Sequence, residues 1–367
     1  MRLDSCARLH LDRAGRFGSY FWLGAVGWGL GLALALAVGI ARDVPAGVLV
    51  TVAAAPSVSF LIGVKVSFIL FGYERLVLYE LVALALAVTA AALAALGLPV
   101  LPGLDLVALG MGMFLVFGRL GCLHVGCCHG RPARWGIAYG DDHARAGFTS
   151  DYVGVRLFPV QLVESLATLA ITGACAAVYL AGDPAPSVVL ALYLILYAPV
   201  RFALELWRGD DDRPHILGVS EAQLIAVASA WWAWWLWRVP AVLAVAGALA
   251  TAAVLLAVAQ RVGRGGALAV RQPARVRQLT RAVRDVTADP GDELAVSDTD
   301  DGLRLSCSRT ADGYHLAVSH AAHSLTPRGA RTVARYVRAV AGAESVDVDA
   351  GRTPGVFHLA LHAGRKT

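Results

Sequence analysis

Charge is what this sequence has least of. Only 16% of its 367 residues are Asp, Glu, Lys or Arg, 57% are hydrophobic, and the mean hydropathy is +0.61, whereas about a quarter of an ordinary soluble domain is charged. A wholly soluble chain is excluded. Paired cysteines are missing as well: Cys6, Cys122, Cys127, Cys128, Cys175 and Cys307 form no pair of C-x-x-C motifs, and two adjacent cysteines do not easily close on one tetrahedral ion. The expectation is therefore no metal and no cofactor. A cleavable leader is not expected either, because the first apolar run follows an Arg-bearing segment of about twenty residues and is long enough to stay as an anchor.

What is present is a series of apolar runs long enough to cross a bilayer, which takes roughly 20 residues each. They cover about 21–41, 47–72, 76–98, 104–121, 158–182, 185–207 and 219–260, the last being long enough for two. The expected fold is all-α and polytopic, with seven or eight transmembrane helices over 1–260. After Gln260 the character changes. Arg261, Arg264, Arg271, Arg275, Arg277, Arg281 and Arg284 mark an Arg-rich linker with a helix over 261–290. Residues 291–367 then alternate like short strands around "LTPRGARTVARYVRAVAGA", a helix opened by Thr326 and Pro327. This reads as a small α+β domain outside the membrane. Its histidines, His315, His320, His323, His358 and His362, fall on alternating strand positions and at a helix entry, a pattern read as solvent-facing rather than metal-binding.

Ionisable groups inside apolar runs are costly and mark candidate sites. "GRLGCLHVGCCHGRP" (118–132) places Arg119 between Gly118 and Gly121 at the end of a span. Its cysteines read first as small hydrophobes that permit close packing, with thiol chemistry at Cys127 and Cys128 as the alternative, since nearby cations lower a thiol pKa. "YAPVRFALELWRGDDDRPH" puts Arg201, Glu205 and Arg208 at i, i+4 and i+7, on one helical face. "RLFPVQLVESL" starts a helix at Pro159 and sets Gln161 and Glu164 three apart. Two crossings separate the first segment from the third, so all these groups are expected at one membrane face. Two arginines on one phosphate supply bidentate, charge-assisted hydrogen bonds. The competing reading is that Arg201 and Glu205 merely neutralise each other within one helix.

These residues resemble the prolipoprotein diacylglyceryl transferases, which carry G-R-x-G-N-F-x-N-x-E-x-x-G, then H-P-x-Q-L-Y-E, then R-F-x-x-E-x-x-R-x-P-D, then a short G-Q motif. Here Gly118, Arg119, Gly121, Gly126 and Gly130 follow the first motif, with Cys122 and Val125 at the asparagines and Cys127 at the glutamate. Pro159, Gln161, Leu162 and Glu164 follow the second, Arg201, Phe202, Glu205, Arg208 and Asp210 the third, and Gln223 the last. Tyr20 is similar to the family's first-helix tyrosine, and Lys65 stands for an arginine in "IGVKVSFILF". The His-Gly-Gly stretch has no counterpart.

The resemblance implies transfer of a diacylglyceryl group from phosphatidylglycerol to the lipobox cysteine of a prolipoprotein, in lipoprotein biosynthesis. Arg119, Arg201, Glu205 and Arg208 would be catalytic, and Tyr20, Lys65, Gly121, Cys122, Gly130, Gln161 and Glu164 would bind substrate. Phosphatidylglycerol, prolipoprotein signal peptides and membrane lipids would be the partners, with no nucleic acid. The implied location is the bacterial cytoplasmic membrane, multi-pass, with the site toward the outer leaflet. Arginines collect on the site's side, which by the positive-inside rule would be cytoplasmic; lipid-binding arginines distort that count, and the outward site is preferred. A Trp-rich segment, "SAWWAWWLWR", lying at the interface then leaves one net crossing in 219–260 and a cytoplasmic C-terminal domain. A lipid-active enzyme with another acceptor and a non-catalytic lipid-binding protein stay open as alternatives.

Overall fold

The computed structural model describes residues 18–71, 78–182, 185–210, 214–216, 219–262, 273–288, 294–311, 313–322 and 324–362. Cys6, Arg75, Arg213, Arg264, Arg271 and His323 lie outside them. The chain divides into two compact units, one of 1–127, 161–206 and 220–253, the other of 128–160, 207–219 and 254–367.

The first unit is a bundle of apolar helices: α1 (Ser19–Ala41), α2 (Ala46–Phe71), α3 (Leu78–Ala95) and α4 (Val100–Val125), followed after an excursion by α6 (Val160–Ala181), α7 (Val188–Glu205), α8 (Glu221–Trp237) and most of α9 (Pro240–Val262). Six of these, α1, α2, α4, α6, α7 and α9, are long and apolar enough to cross a membrane; Tyr79–Ala95 is a shorter apolar helix. Large apolar side chains such as Ile69, Leu61, Val50 and Leu255 are exposed, the pattern of helices with lipid as their solvent. The stretch left open between one crossing and two forms two helices, α8 and α9. A reciprocal cap between Ser220 and Gln223 opens α8, and Arg238, in the left-handed region, ends it with its guanidinium over Trp234 and Trp235.

Val38, Val48, Leu93, Leu106, Leu109, Cys175 and Val189 form the bundle core. One buried carboxylate organises it. Asp105 in α4 accepts hydrogen bonds from the Ser187 and Leu190 amides (2.9 and 2.7 Å) and so caps the start of α7. Helix N-termini leave amides without intrahelical partners, and in an apolar setting an acid is an apt acceptor.

The second unit contains strand β1 (Pro132–Ala138), the short helix α5 (Asp141–Arg145), a turn of 3-10 helix (Ser150–Tyr152), β2 (Arg156–Leu157), β3 (His215–Ile216) and β4 (Val219–Ser220). Its C-terminal part holds α10 (Pro273–Ala288), β5 (Ala295–Asp298), β6 (Leu303–Thr310), β7 (Gly313–His320), α11 (Pro327–Ala341), β8 (Ser345–Ala350) and β9 (Phe357–His362). The five strands form one sheet in the order β5-β6-β7-β9-β8, every neighbour antiparallel. Alternation decides its faces. Leu303, Leu305, Cys307, Leu316, Val318, Leu359 and Leu361 point to one side, where Leu279, Val283 and Val286 of α10 and Val333 and Val337 of α11 cover them. Thr326 caps α11 by accepting from the Gly329 amide. The helix expected within 261–290 is α10, which fills part of this core.

The same unit joins the C-terminal domain to the loop after β1. Arg277 and Arg281 of α10 both bond the Asp151 carboxylate (2.6 and 3.0 Å), and Arg284 donates to the Ser150, Asp151 and Val153 carbonyls. Val340 of α11 packs against the loop cluster of Tyr139, Phe148, Tyr152, Val155 and Leu157. Burial alone would raise the Asp151 carboxyl, but hydrogen bonds and charge from Arg281 and Arg277 prevail and hold it below the usual value.

Candidate active site

The first unit gathers the costly groups in two ion pairs. Arg119, one and a half turns before the end of α4, reaches Glu164 in the second turn of α6 with Nε to Oε2 at 3.0 Å, and both are buried. Arg201 and Glu205, one turn apart in α7, pair at 2.8 Å, as their i, i+4 spacing requires. Tyr197, one turn before Arg201, joins them: its hydroxyl donates to Glu164 Oε1 at 2.5 Å, and it lies within electrostatic reach of both Arg119 and Arg201. Two guanidinium groups, two carboxylates and a phenol thus surround one region of the bundle. An arginine in hydrocarbon costs a few kcal/mol unless paired or hydrated, and each of these has its carboxylate. The in-helix neutralisation of Arg201 by Glu205 is real, yet Arg119 is held from a different helix.

The other expected residues sort themselves by unit. Tyr20 of α1 lies against Gly121, where a Cβ would come to 3.0 Å from its ring, a tight approach that glycine eases. Gln161 is buried, and its Nε2 donates to the Cys127 carbonyl at 2.7 Å, fixing the turn after α4. Gln223 caps its own helix and reaches the Phe202 carbonyl. Lys65 lies on an exposed side of α2, not among the buried charges. Cys122 is buried.

Arg208, Asp210 and Gly130 belong to the second unit. Arg208 makes a two-pronged pair with Asp210 (2.9 and 2.7 Å), and its carbonyl accepts from Arg131 Nε at 2.9 Å. Gly130 bridges to Arg208 in β fashion and abuts the Phe158 carbonyl so closely that a Cβ would collide. Buried His129 packs edge-on against Phe148 and Tyr152, and its Nδ1 donates to the Gly130 carbonyl. Burial holds this imidazole below its usual pKa, with Arg208 adding to the effect and Asp210 opposing it. It is a neutral packing residue at physiological pH.

Tyr197 and Asp105 were not singled out from the sequence. Tyr197 offers one signal in hindsight, a polar side chain at i−4 from Arg201 on the same helical face. Asp105 was legible only as an acid near the start of an apolar run.

Comparison with known proteins adds an independent line. Residues 81–239 match the family model described as prolipoprotein diacylglyceryl transferase. Phosphatidylglycerol-prolipoprotein diacylglyceryl transferase 2 of Clostridium perfringens is 30% identical over 125 residues, which are 34% of this chain and 46% of that protein. The enzyme named phosphatidylglycerol-prolipoprotein diacylglyceryl transferase in Clostridium tetani is 30% identical over 128 residues, 35% of this chain and 49% of that protein. The chain spans about half the length of the curated relatives it matches. The matched segment contains the Arg119–Glu164 and Arg201–Glu205 pairs and Tyr197, and ends before the C-terminal domain. Residues 81–239 of this membrane protein are therefore similar to the prolipoprotein diacylglyceryl transferase domain.

Proposed function

We propose that the chain transfers a diacylglyceryl group from phosphatidylglycerol to the thiol of a prolipoprotein cysteine. The observation that carries this reading is the meeting of Arg119 and Arg201 around Tyr197, each arginine steadied by its own carboxylate. In such a transfer the cysteine thiol releases its proton to solvent, and the resulting thiolate sulfur attacks the glyceryl carbon bonded to the phosphate oxygen. A sulfur–carbon bond forms, that carbon–oxygen bond breaks, its electron pair goes to the phosphate, and glycerol phosphate departs. Negative charge grows on the leaving phosphate, and fixed cations in a water-poor site stabilise it most where it develops. Arg119 and Arg201 are the groups for that task, Glu164 and Glu205 orient them, and Tyr197 holds Glu164. Tyr20 and Gly121 would flank the lipid, and Arg208 with Gly130 would shape the loops of their own unit. The outer leaflet, where a translocated lipobox is presented, is the corresponding side for the site, and the bonds of α10 to Asp151 support a C-terminal domain on the same side as the 150–153 loop.

Complementation of a strain depleted of its own diacylglyceryl transferase, with mass spectrometry of a reporter lipoprotein, tests the reading. A thioether-linked diacylglyceryl on the reporter cysteine is expected, and an unmodified reporter with well-expressed protein refutes it. Cys122, Val125 and Cys127 at the family's asparagine and glutamate positions favour one second reading, the same phosphate chemistry with a different acceptor. Lipid products other than lipoprotein would then appear.

A further inference from the structure

The turn that ends α4 carries more sulfur than packing requires. The Sγ atoms of Cys122, Cys127 and Cys128 all lie within 4.8 Å of one another, with Cys122 and Cys127 buried. The three fall within seven consecutive residues, so the turn itself sets their proximity. α4 ends with Gly126 in the left-handed region, its amide bonded to the Cys122 carbonyl, and Cys127 Sγ rests 3.9 Å from the same carbonyl. Gln161 clamps the Cys127 carbonyl. Cys128 itself has φ +54, a conformation that costs a non-glycine residue free energy. That left-handed step answers the objection from sequence that adjacent cysteines do not easily share one ion, because it turns the second side chain back toward the first.

We propose that Cys122, Cys127 and Cys128 form a binding site for a soft, thiophilic metal ion, monovalent copper above all. Metal–sulfur bonds of about 2.3 Å around a trigonal centre set sulfurs about 4 Å apart, within the observed limit. Among the described residues no His, Asp or Glu joins the group. Zinc prefers four ligands in a structural site, whereas a three-sulfur set with no hard ligand suits copper(I). Binding replaces thiol protons: each cysteine that ligates forms a sulfur–metal bond and releases its proton to solvent, with no change of oxidation state. Affinity therefore rises with pH. The test reads metal and not activity, so its failure is distinct from failure of the lipid-transfer reading.

The experiment uses the full-length protein, purified under reductant in detergent and titrated anaerobically with copper(I) against a competing chelator. One equivalent retained per chain is expected, with Cys122, Cys127 and Cys128 protected from alkylation while Cys175 and Cys307, after unfolding in the presence of the bound ion, are modified. Cys128→Ser is expected to weaken retention at least tenfold, and the triple Cys→Ser variant to abolish it. No retention by the unaltered protein, or alkylation of the three cysteines unchanged by copper, overturns the proposal without recourse to any variant. Equal retention by a folded triple variant overturns it as well, as does isolation of the protein with Cys122 and Cys127 joined as a disulfide. Retention of zinc in preference to copper would overturn the assignment of the ion.

Discussion

Arg119 and Arg201 belong to different helices, and each has a carboxylate within 3.0 Å. If both stabilise a leaving phosphate, Arg119→Ala and Arg201→Ala each lower transfer by a factor of about a hundred or more, the usual loss for one fixed electrostatic donor. Reporter lipidation by purified variants of unchanged thermal stability measures this, and retained lipidation in either would sink the mechanism. Tyr197→Phe keeps the ring and removes only the hydroxyl that holds Glu164. Its expected effect is smaller, a fall in turnover of about tenfold from a misoriented Arg119, since one hydrogen bond to a charged group contributes about 1.5–3 kcal/mol. Full activity in that variant would remove Tyr197 from the positioning of the pair.

At the scale of elements, two contacts hold what the chain's local preferences do not. Asp105 caps α7 from inside α4. Asp105→Ala leaves two buried amides without their acceptor at a cost of about 1–3 kcal/mol each, so the melting temperature in detergent is expected to fall by several degrees; an unchanged value would show that water replaces the carboxylate. In the C-terminal domain Leu279 of α10 is wholly buried against the sheet. Leu279→Ala is expected to destabilise that domain by about 2–5 kcal/mol, seen as faster amide exchange in β6 and β7. Were α10 only a linker, exchange in the strands would not change.

For the whole molecule the question is which parts share a side of the membrane. Asp151 binds Arg277 and Arg281, so cysteine labels introduced at Gly147 and after Arg284 are expected to react from one and the same side, the outside. Labels on opposite sides would refute the contact, and both inside would refute the lipoprotein acceptor, because a translocated lipobox could not then reach Arg119. The contact has a pH signature too. A carboxyl held below its usual value contributes stability that is complete above the unfolded value of about 4 and fades only as pH falls through the lower folded value. Release of the loop, followed by proteolysis near Ser150, is thus expected in strong acid and absent between pH 5 and 8. Asp151→Asn should give the released state at neutral pH, and resistance to proteolysis in that variant would show that the three Arg284 bonds suffice.

The sequence by itself determined that this is a membrane protein with an appended α+β domain, because solvent preference is a property of composition and period: apolar runs need no partner to be recognised, nor does strand alternation. It also marked the charges that need partners, since an arginine in an apolar run is costly wherever it ends up, and i, i+4 spacing alone pairs Arg201 with Glu205. Partners across helices were not determined that way. That Glu164 meets Arg119, that Tyr197 bonds Glu164 within electrostatic reach of both arginines, that Asp105 caps a helix 82 residues away and that Asp151 anchors α10 all depend on how helices and loops pack, which no local pattern encodes. The cysteines show the boundary most sharply: their spacing was visible from the start, but the left-handed turn at Cys128 that gathers three sulfurs is a backbone conformation, and only the folded chain sets it.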